Sequence, residues 1–218
     1  MSRHHNAWTD PLIADYVANH TAPADAVQQA LIDETASHPR AGMQISADQG
    51  SLMALFVQLV DARFVVEIGT FTGYSSLAIA RALPTGGRLL CCDISEEYTA
   101  IARKYWGLAG VADRIELRIA PALDTLRSLP AGTVIDLAFI DADKTSYQAY
   151  YEELLPRMKP NGLILIDNTL WSGAVVRDDA LDPDTVALRT LNDHIAADPR
   201  VDSYILPISD GLTLVRKR

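Results

Sequence analysis

The chain has 218 residues, 49% of them apolar and 22% charged, a balance that predicts one globular domain over residues 1–218 and excludes disordered or fibrous classes. Its net charge of -9 and pI near 4.9 argue against a nucleic-acid partner, because a phosphate backbone requires a basic surface. Its apolar runs are far shorter than the ~20 residues of a membrane-spanning helix, so no membrane partner is expected.

The first sixty residues are predicted to form helices that act as a lid or a dimer surface ahead of a core over residues 61–218. Their breaks are Pro11, Pro23, Pro39 and the Ala41-Gly42 turn. The beginning of the chain lacks the apolar core of a signal peptide, which predicts a cytoplasmic protein. His4 and His5 are interpreted as part of a frayed end without a metal-binding role.

From Phe64 onward, short β-branched runs alternate with segments of helical periodicity, the pattern of βαβ units. We predict an α/β fold: a Rossmann-like, doubly wound, mostly parallel seven-stranded sheet with an antiparallel C-terminal hairpin. The predicted strands are Phe64–Ile68, Arg88–Asp93, Ile115–Ile119, Ile135–Ile140, Leu163–Ile166, Tyr204–Pro207 and Leu212–Val215. The predicted covering helices are Ser75–Leu83, Glu96–Ala109, Ala122–Leu129, Ser146–Met158 and Thr185–Ala197. Val176–Thr185 is predicted to be a solvated loop, and the adjacent Cys91 and Cys92 to be buried reduced thiols on opposite faces of a strand.

Two glycines, Gly69 and Gly73, follow the first predicted strand, at the place where α/β sheets bind nucleotide-like ligands. A tight turn without a ligand is the alternative. Asp93 ends the second strand, where a carboxylate accepts hydrogen bonds from ribose hydroxyls. Glu67 would repel a pyrophosphate but attract an ammonium and a sulfonium, which favours S-adenosylmethionine over NAD. A surface carboxylate is the alternative for Glu67.

The fourth and fifth predicted strands end in oxygen ligands, Asp141 and the pair Asp167-Asn168. Parallel strands place their carboxyl ends along one edge, so these side chains are expected to converge. Two carboxylates and an amide suit a hard cation such as Mg²⁺. Each cluster taken alone is more typical of helix caps and turns than of a metal site, whereas the two together favour the metal site. Lys144 would hang over the same edge as a general base, or be an ordinary exposed lysine.

Taken together, these motifs resemble the cation-dependent class I O-methyltransferases, the group that holds catechol O-methyltransferases, caffeoyl-CoA O-methyltransferases and their bacterial relatives. The resemblance spans nearly the whole chain. It is carried by Met43 and Ser46-Ala47-Asp48-Gln49-Gly50 in an entry helix, Glu67-Ile68-Gly69, Thr72-Gly73-Tyr74-Ser75, Ala109-Gly110-Val111, Pro121-Ala122-Leu123, Asp141-Ala142-Asp143-Lys144, Asp167-Asn168-Thr169-Leu170-Trp171 and Asp210-Gly211.

The resemblance implies roles for individual residues. Asp141, Asp167 and Asn168 would hold Mg²⁺, or another divalent cation such as Mn²⁺ or Ca²⁺, and Lys144 with Asp141 would carry the chemistry. The residues implied to hold S-adenosylmethionine are Met43, Glu67, Gly69, Thr70, Ser75, Asp93, Ala122 and Asp141. Trp171 and Ser172 would face a small aromatic acceptor with vicinal hydroxyls. A homodimer is also implied.

Departures from the family pattern concern the acceptor more than the chemistry. Ile45, Gln49 and Ser172 stand where plant relatives often have threonine, glutamate and asparagine. The mostly anionic segment Arg177–Asp184 favours a small free catechol over a coenzyme A thioester with its phosphates. The alternatives in function are a metal-independent methyltransferase, a nicotinamide-dependent oxidoreductase and a non-catalytic S-adenosylmethionine-binding partner protein.

Overall fold

The computed structural model describes residues 11–218, so His4 and His5 lie outside the described residues. Seven strands form one sheet in the order β3-β2-β1-β4-β5-β7-β6. Their bounds are β1 Phe64–Ile68, β2 Arg88–Asp93, β3 Ile115–Ile119, β4 Ile135–Ile140, β5 Met158–Ile166, β6 Val201–Leu206 and β7 Leu212–Lys217. Strands β1 to β5 pair in parallel, whereas β7 runs antiparallel to β5 and β6. The predicted fold class is therefore confirmed.

The helices cover both faces of this sheet. Their bounds are α1 Pro11–His20, α2 Ala26–Ala36, α3 Ala47–Leu59, α4 Tyr74–Ala82, α5 Glu96–Leu108, α6 Ala122–Ser128, α7 Tyr147–Leu154 and α8 Pro183–Ala197. One apolar core joins the sheet to α6, α7 and α8, and the other joins it to α2, α3, α4 and α5. Because successive strand residues face opposite sides, Cys91 and Cys92 enter different cores as buried free thiols, as predicted.

Strands β1 and β4 are neighbours in the sheet, and the strand order reverses between them. In doubly wound sheets, ligands bind in the crevice at the carboxyl ends of the strands on either side of such a switch. The motifs that follow β1, β2, β4 and β5 therefore share one edge of the sheet.

The N-terminal part is helical in the described residues, and α2 is bound to the core by polar contacts. The Tyr105 hydroxyl on α5 donates to the Ala30 carbonyl at 2.8 Å. The Thr35 hydroxyl donates to that of Thr72, in the glycine turn, at 2.9 Å. A lid or dimer role for this part stays a prediction. Met43 does not lie in the entry helix as predicted, because it ends a 3-10 turn, Ala41–Met43, before α3 begins.

Several predicted boundaries were wrong. The strand predicted at Tyr204–Pro207 runs over Val201–Leu206, and β7 ends at Lys217 rather than Val215. The predicted helix Ser146–Met158 ends as an α-helix at Leu154, and β5 begins at Met158 rather than Leu163. Met158 pairs with Ile135 across an irregularity in the β4–β5 ladder, and such irregularities tolerate Pro160 and Gly162 within a strand. The predicted loop Val176–Thr185 is shorter, because Asp182 caps α8, whose first residue is Pro183.

None of the helices over residues 11–218 has the length and apolarity needed to span a membrane.

Candidate active site

The glycine turn lies against the end of β4. Gly69 has a φ of +87°, and a Cβ atom there would lie 1.8 Å from the Asp141 carbonyl oxygen. Gly73 has a φ of +88°, and its Cβ would lie 2.6 Å from that of Ala102. Both positions therefore require glycine for the packing of the chain itself. The prediction attributed these glycines to the approach of a ligand, and this packing is an additional cause that the sequence did not reveal.

Asp93 organises the glycine turn from the end of β2. Its Oδ2 accepts hydrogen bonds from the backbone N–H groups of Thr70 and Phe71, both at 2.9 Å. Its Oδ1 accepts from the N–H of Ser95 at 2.8 Å. The predicted contact with a ribose would share these oxygens, each of which has a further lone pair.

Glu67 is fully buried at the end of β1, so its alternative interpretation as a surface carboxylate was wrong. Burial raises the pKa of its carboxyl to about 8, although hydrogen bonding by Ser75 and Cys91 lowers it in part. The Cys91 thiol donates to Glu67 Oε2 at 3.4 Å. Oε1 and the neighbouring Thr70 Oγ1 are buried without a hydrogen-bond partner. Buried polar atoms of this kind normally have partners, and a ligand ammonium group would supply one to Glu67.

Lys144 occupies the edge at which β4 and β5 end, and it is 8% exposed, so it is not an ordinary surface lysine. Its Nζ donates to Asp141 Oδ1 at 3.0 Å, to Asn168 Oδ1 at 2.7 Å and to the Tyr147 hydroxyl at 2.5 Å. An ammonium has three N–H donors, so all three are used. The predicted convergence of the two strand ends is observed.

Asp167 is a second buried carboxylate at this edge, with 3% of its surface exposed. Burial, followed by the negative charge of Asp141, raises its pKa to about 7, and the Gln49 side chain lowers it in part. Its Oδ1 accepts from the Asn168 N–H at 2.8 Å. The Asp141 carboxylate and the Asn168 amide oxygen converge on one ammonium, which stands in for a cation, and Asp167 lies close enough for the charges of Asp141 and Lys144 to act on its pKa. This donor set fits a hard divalent ion.

The residues after β5 adopt strained backbone conformations. Asn168, Trp171 and Ser172 have φ values of 58°, 47° and 50°, which are costly for residues other than glycine and concentrate at functional sites. The Trp171 ring centroid lies 5.6 Å from Lys144 Nζ. Lys144, Asp141, Asn168 and Tyr147 form what we call the Lys144 cluster. The predicted acceptor residues, Trp171 and the adjacent Ser172, thus lie next to this cluster.

The hairpin turn before β7 holds this strained segment. The Asp210 carbonyl accepts from the Leu170 N–H at 2.9 Å, and the Gly211 carbonyl from the Thr169 N–H at 3.0 Å. The Asp210 carboxylate accepts from the Ser172 N–H. Sequence reasoning included Asp210-Gly211 in the family pattern but gave it no role, because contacts between distant loops leave no periodic signal.

The remaining predicted cofactor residues lie around the same edge. Ser75 is buried in the first turn of α4, and Ala122, 8% exposed, is the first residue of α6. Met43 is 47% exposed on its 3-10 turn. Their predicted roles stay predictions.

A second cluster of charged groups lies elsewhere, where α7, α8 and β6 meet. Glu152, His194 and Asp198 have ligand atoms within 4.8 Å of one another. Arg200 donates to Asp198 and to Glu152, at 2.6 and 2.8 Å. Because Arg200 already neutralises these carboxylates, the cluster is an ion-pair network rather than a metal site.

A doubly wound sheet with a buried acid at β1, a loop-binding carboxylate at β2 and oxygen ligands at β4 and β5 defines a Rossmann-like enzyme class. The family model described as O-methyltransferase matches residues 18–218. The chain belongs to this O-methyltransferase family.

Individual relatives agree with this family. "Probable caffeoyl-CoA O-methyltransferase 2" of Dictyostelium discoideum is 42% identical over 210 residues, covering 94% of this chain and 91% of the relative. The Bacillus cereus O-methyltransferase solved in complex with SAH has a TM-score of 0.88 and 32% identity, covering 97% of this chain and 98% of that one. O-methyltransferase TomG of Streptomyces achromogenes, solved in complex with SAM, has a TM-score of 0.86 and 29% identity, covering 94% and 96%.

Proposed function

We propose that this protein transfers the methyl group of S-adenosylmethionine to one hydroxyl of a catechol-like acceptor in a reaction that depends on a divalent cation. The observation that carries the proposal is the convergence of Asp141 and Asn168 on the Lys144 ammonium at 3.0 and 2.7 Å. A site of this composition can bind a cation and hold an amine beside it.

The cofactor assignment is supported by Glu67 and by the relatives. A cationic ligand favours the ionised form of a buried carboxyl, which suits the ammonium and sulfonium of S-adenosylmethionine better than a pyrophosphate. The B. cereus and S. achromogenes O-methyltransferases were solved with SAH and SAM. When bound, this cofactor would supply the methyl group.

Asp141, Asp167 and Asn168 are the residues that we propose to hold the cation, Mg²⁺ or a similar divalent ion such as Mn²⁺ or Ca²⁺. When bound, the ion would supply Lewis-acid chemistry that lowers the pKa of an acceptor hydroxyl. Gln49 would support the site from α3, since its fully buried amide lies beside Asp167 and lowers the pKa of that carboxyl.

Lys144 is the proposed acceptor of the hydroxyl proton. A proton is received only at a free lone pair on Nζ, so one of the three N–H donors that Nζ uses in the structure must first be released. Tyr147, whose hydroxyl lies 2.5 Å from Nζ, keeps the amine at this edge. Tyr147 is itself fully buried, which fixes the position of its hydroxyl.

For the acceptor, the segment Arg177–Asp184 contains four aspartates and one arginine. This charge favours a small free catechol over a polyanionic thioester, although it is screened within about 8–10 Å at physiological salt. Caffeoyl-CoA is the second candidate, because the D. discoideum relative is named for it. A homodimer is also proposed, and light scattering of the purified protein checks it.

Methyl transfer from S-adenosylmethionine, measured with excess Mg²⁺ and again with EDTA, tests the proposal. The acceptor panel contains caffeate, a flavonoid catechol, caffeoyl-CoA and a matched phenol with a single hydroxyl. We expect transfer to a vicinal diol that EDTA abolishes and Mg²⁺ restores, with poor transfer to the single phenol. Activity that survives complete metal removal contradicts the proposal.

Asp167→Asn is the variant that links the assay to the proposed site. It preserves the size of the side chain but removes one of the two carboxylates, so a higher Mg²⁺ concentration should be required for half-maximal activity. An unchanged Mg²⁺ requirement would place the cation elsewhere.

A further inference from the structure

Arg189 on α8 binds an unusual number of backbone carbonyls in the segment that follows the strained turn. Its Nε donates to the Val175 carbonyl at 2.9 Å. The two N–H groups of Nη2 contact three carbonyls, those of Ala174 and Ala180 at 3.3 and 2.9 Å and that of Arg177, so one N–H is shared between two acceptors. One guanidinium thus holds four carbonyls between residues 174 and 180.

The segment begins in the last turn of a 3-10 helix, Trp171–Val176, and is irregular from Arg177 to Leu181. Two turns, closed by Arg177 N–H to the Ala174 carbonyl at 3.0 Å and by Ala180 N–H to the Arg177 carbonyl at 3.1 Å, direct these carbonyls to the same side chain. Outside helices and strands, backbone polar groups need such partners or water. Arg189 therefore selects one conformation among those open to this segment.

This segment is also continuous with the acceptor side of the proposed site. It begins three residues after Trp171, whose ring lies 5.6 Å from Lys144 Nζ. One helical turn beyond Arg189, Asn192 donates to the Thr169 carbonyl at 2.9 Å. Helix α8 also packs against the 3-10 turn Lys144–Ser146. One face of α8 thus contacts the segments on both sides of the Lys144 cluster.

We infer that Arg189 is a positioning residue that sets acceptor recognition, because it fixes segment 174–180 beside Trp171 and the Lys144 cluster. The inference rests on the proposed methyl transfer. It concerns the acceptor side alone, since the cofactor residues on β1, β2 and α6 make none of the contacts described for Arg189. Guanidinium geometry is required, because a lysine ammonium is a compact point charge that cannot reach carbonyls spread along this segment in the same way.

The test uses Arg189→Lys, which keeps the charge, and Arg189→Met, which keeps much of the apolar stem. Arg103, an exposed arginine on α5, gives the matched controls Arg103→Lys and Arg103→Met. Three quantities are measured: amide hydrogen exchange of residues 174–180, Kd for S-adenosylhomocysteine, and KM and kcat for the best vicinal diol with saturating S-adenosylmethionine.

In both Arg189 variants we expect faster exchange in segment 174–180 and an acceptor kcat/KM lower by about 10- to 100-fold, the effect of misplacing a substrate by an ångström or less. The loss should appear mainly in KM, with the Kd for S-adenosylhomocysteine unchanged. The Arg103 variants should match the wild type. Recovery in Arg189→Lys, or an unchanged acceptor KM despite faster exchange, overturns the inference. An equal loss of cofactor binding would indicate a general structural role and overturns it as well.

Failure of the proposed function would look different. A wild-type protein that transfers no methyl group to any vicinal diol contradicts the methyl-transfer proposal. In that case hydrogen exchange still decides whether Arg189 holds the segment, and unchanged exchange in Arg189→Met overturns that part.

Discussion

At the scale of single residues, Glu67 links the buried end of β1 to cofactor binding. Its pKa of about 8 means that the carboxyl is mostly protonated at neutral pH in the cofactor-free protein. An ammonium group placed beside it would favour the carboxylate and lower that pKa. Cofactor binding near neutral pH should therefore release a proton, and affinity should rise as the pH approaches 8.

Calorimetry of S-adenosylhomocysteine binding in two buffers of different ionisation enthalpy measures this proton release. Glu67→Gln cannot ionise and should abolish the release at this site, while Glu116→Gln, at an exposed position on β3, should retain it. Equal proton release by all three proteins would show that Glu67 is not the group that titrates.

Gln49 supports a second prediction at this scale. Its amide is fully buried beside the Asp167 carboxylate, and it lowers the pKa of that carboxyl. Groups that orient metal ligands typically contribute 10- to 100-fold to metal affinity. Gln49→Leu should therefore weaken Mn²⁺ binding by about tenfold or more, as measured by electron paramagnetic resonance.

Two comparisons make the Gln49 result interpretable. Gln58→Leu, at an exposed glutamine on the same helix, should leave Mn²⁺ affinity unchanged. The Kd for S-adenosylhomocysteine reports whether Gln49→Leu preserves the fold. Wild-type Mn²⁺ affinity in a folded Gln49→Leu protein would remove Gln49 from the site.

At the scale of elements, periodicity and strand composition predicted the sheet well. Strands β1 to β4 begin and end as predicted, because each is a short run or alternation of apolar residues bounded by turn residues. The start of β5 was missed, since Pro160 and Gly162 indicate a break unless the ladder irregularity opposite them is known. Convergence of Asp141 and Asn168 follows from parallel strand ends. The contacts of Gln49, Arg189 and Asp210 depend on how separate elements pack, which the local pattern does not contain.

The contact between β1 and β4 gives a prediction at this scale. In Gly69→Ala, the added Cβ would overlap the Asp141 carbonyl at 1.8 Å, so the strand ends must separate. Gly86→Ala is the matched control, because Gly86 also has a positive φ but no atom within 4 Å of its Cβ position. The control should cost only the left-handed backbone penalty of about 1–2 kcal/mol, and Gly69→Ala should cost more.

Urea unfolding of both variants measures these costs, and Mg²⁺ titration measures the effect on the site. Gly69→Ala should also weaken Mg²⁺ binding, because the displaced backbone carries Asp141. Equal free energies of unfolding for the two variants would contradict the close packing of β1 against β4.

At the scale of the whole molecule, two carboxyls in different parts of the fold, Asp198 and Glu67, have pKa values shifted in opposite directions. Arg200 is the last residue before β6, and it pairs with Glu152 on α7 as well as with Asp198. The Arg200 guanidinium holds the pKa of the Asp198 carboxyl well below its usual range. Glu67, on the interior strand β1, has its pKa raised to about 8 by burial. These two carboxyls make the stability of the fold depend on pH in opposite directions.

The signs follow from linkage between protonation and folding. Asp198 has a lowered pKa, so its contribution is present above the unfolded value of about 3.9 and is lost as the pH falls toward the folded value. Glu67 has a raised pKa, so its contribution is complete below about 4.3 in the unfolded chain and is lost as the pH rises through its folded pKa. The cofactor-free protein should therefore be most stable at about pH 4 and lose stability from there toward about pH 8, and Asp167, whose pKa is raised to about 7, adds to that loss.

Urea unfolding across about pH 3 to 8, with excess Mg²⁺ to keep the carboxylates at the strand ends paired, measures this profile. Asp198→Asn should flatten the acid side of the profile, because an asparagine amide does not titrate as the pH falls. Glu67→Gln should flatten the alkaline side, and the exposed Asp113→Asn control should change neither. Saturating S-adenosylhomocysteine should move the maximum toward neutral pH, because its ammonium would compensate the Glu67 carboxylate. A cofactor-free protein whose stability rises steadily to about pH 8 would contradict the burial of Glu67 as an uncompensated acid.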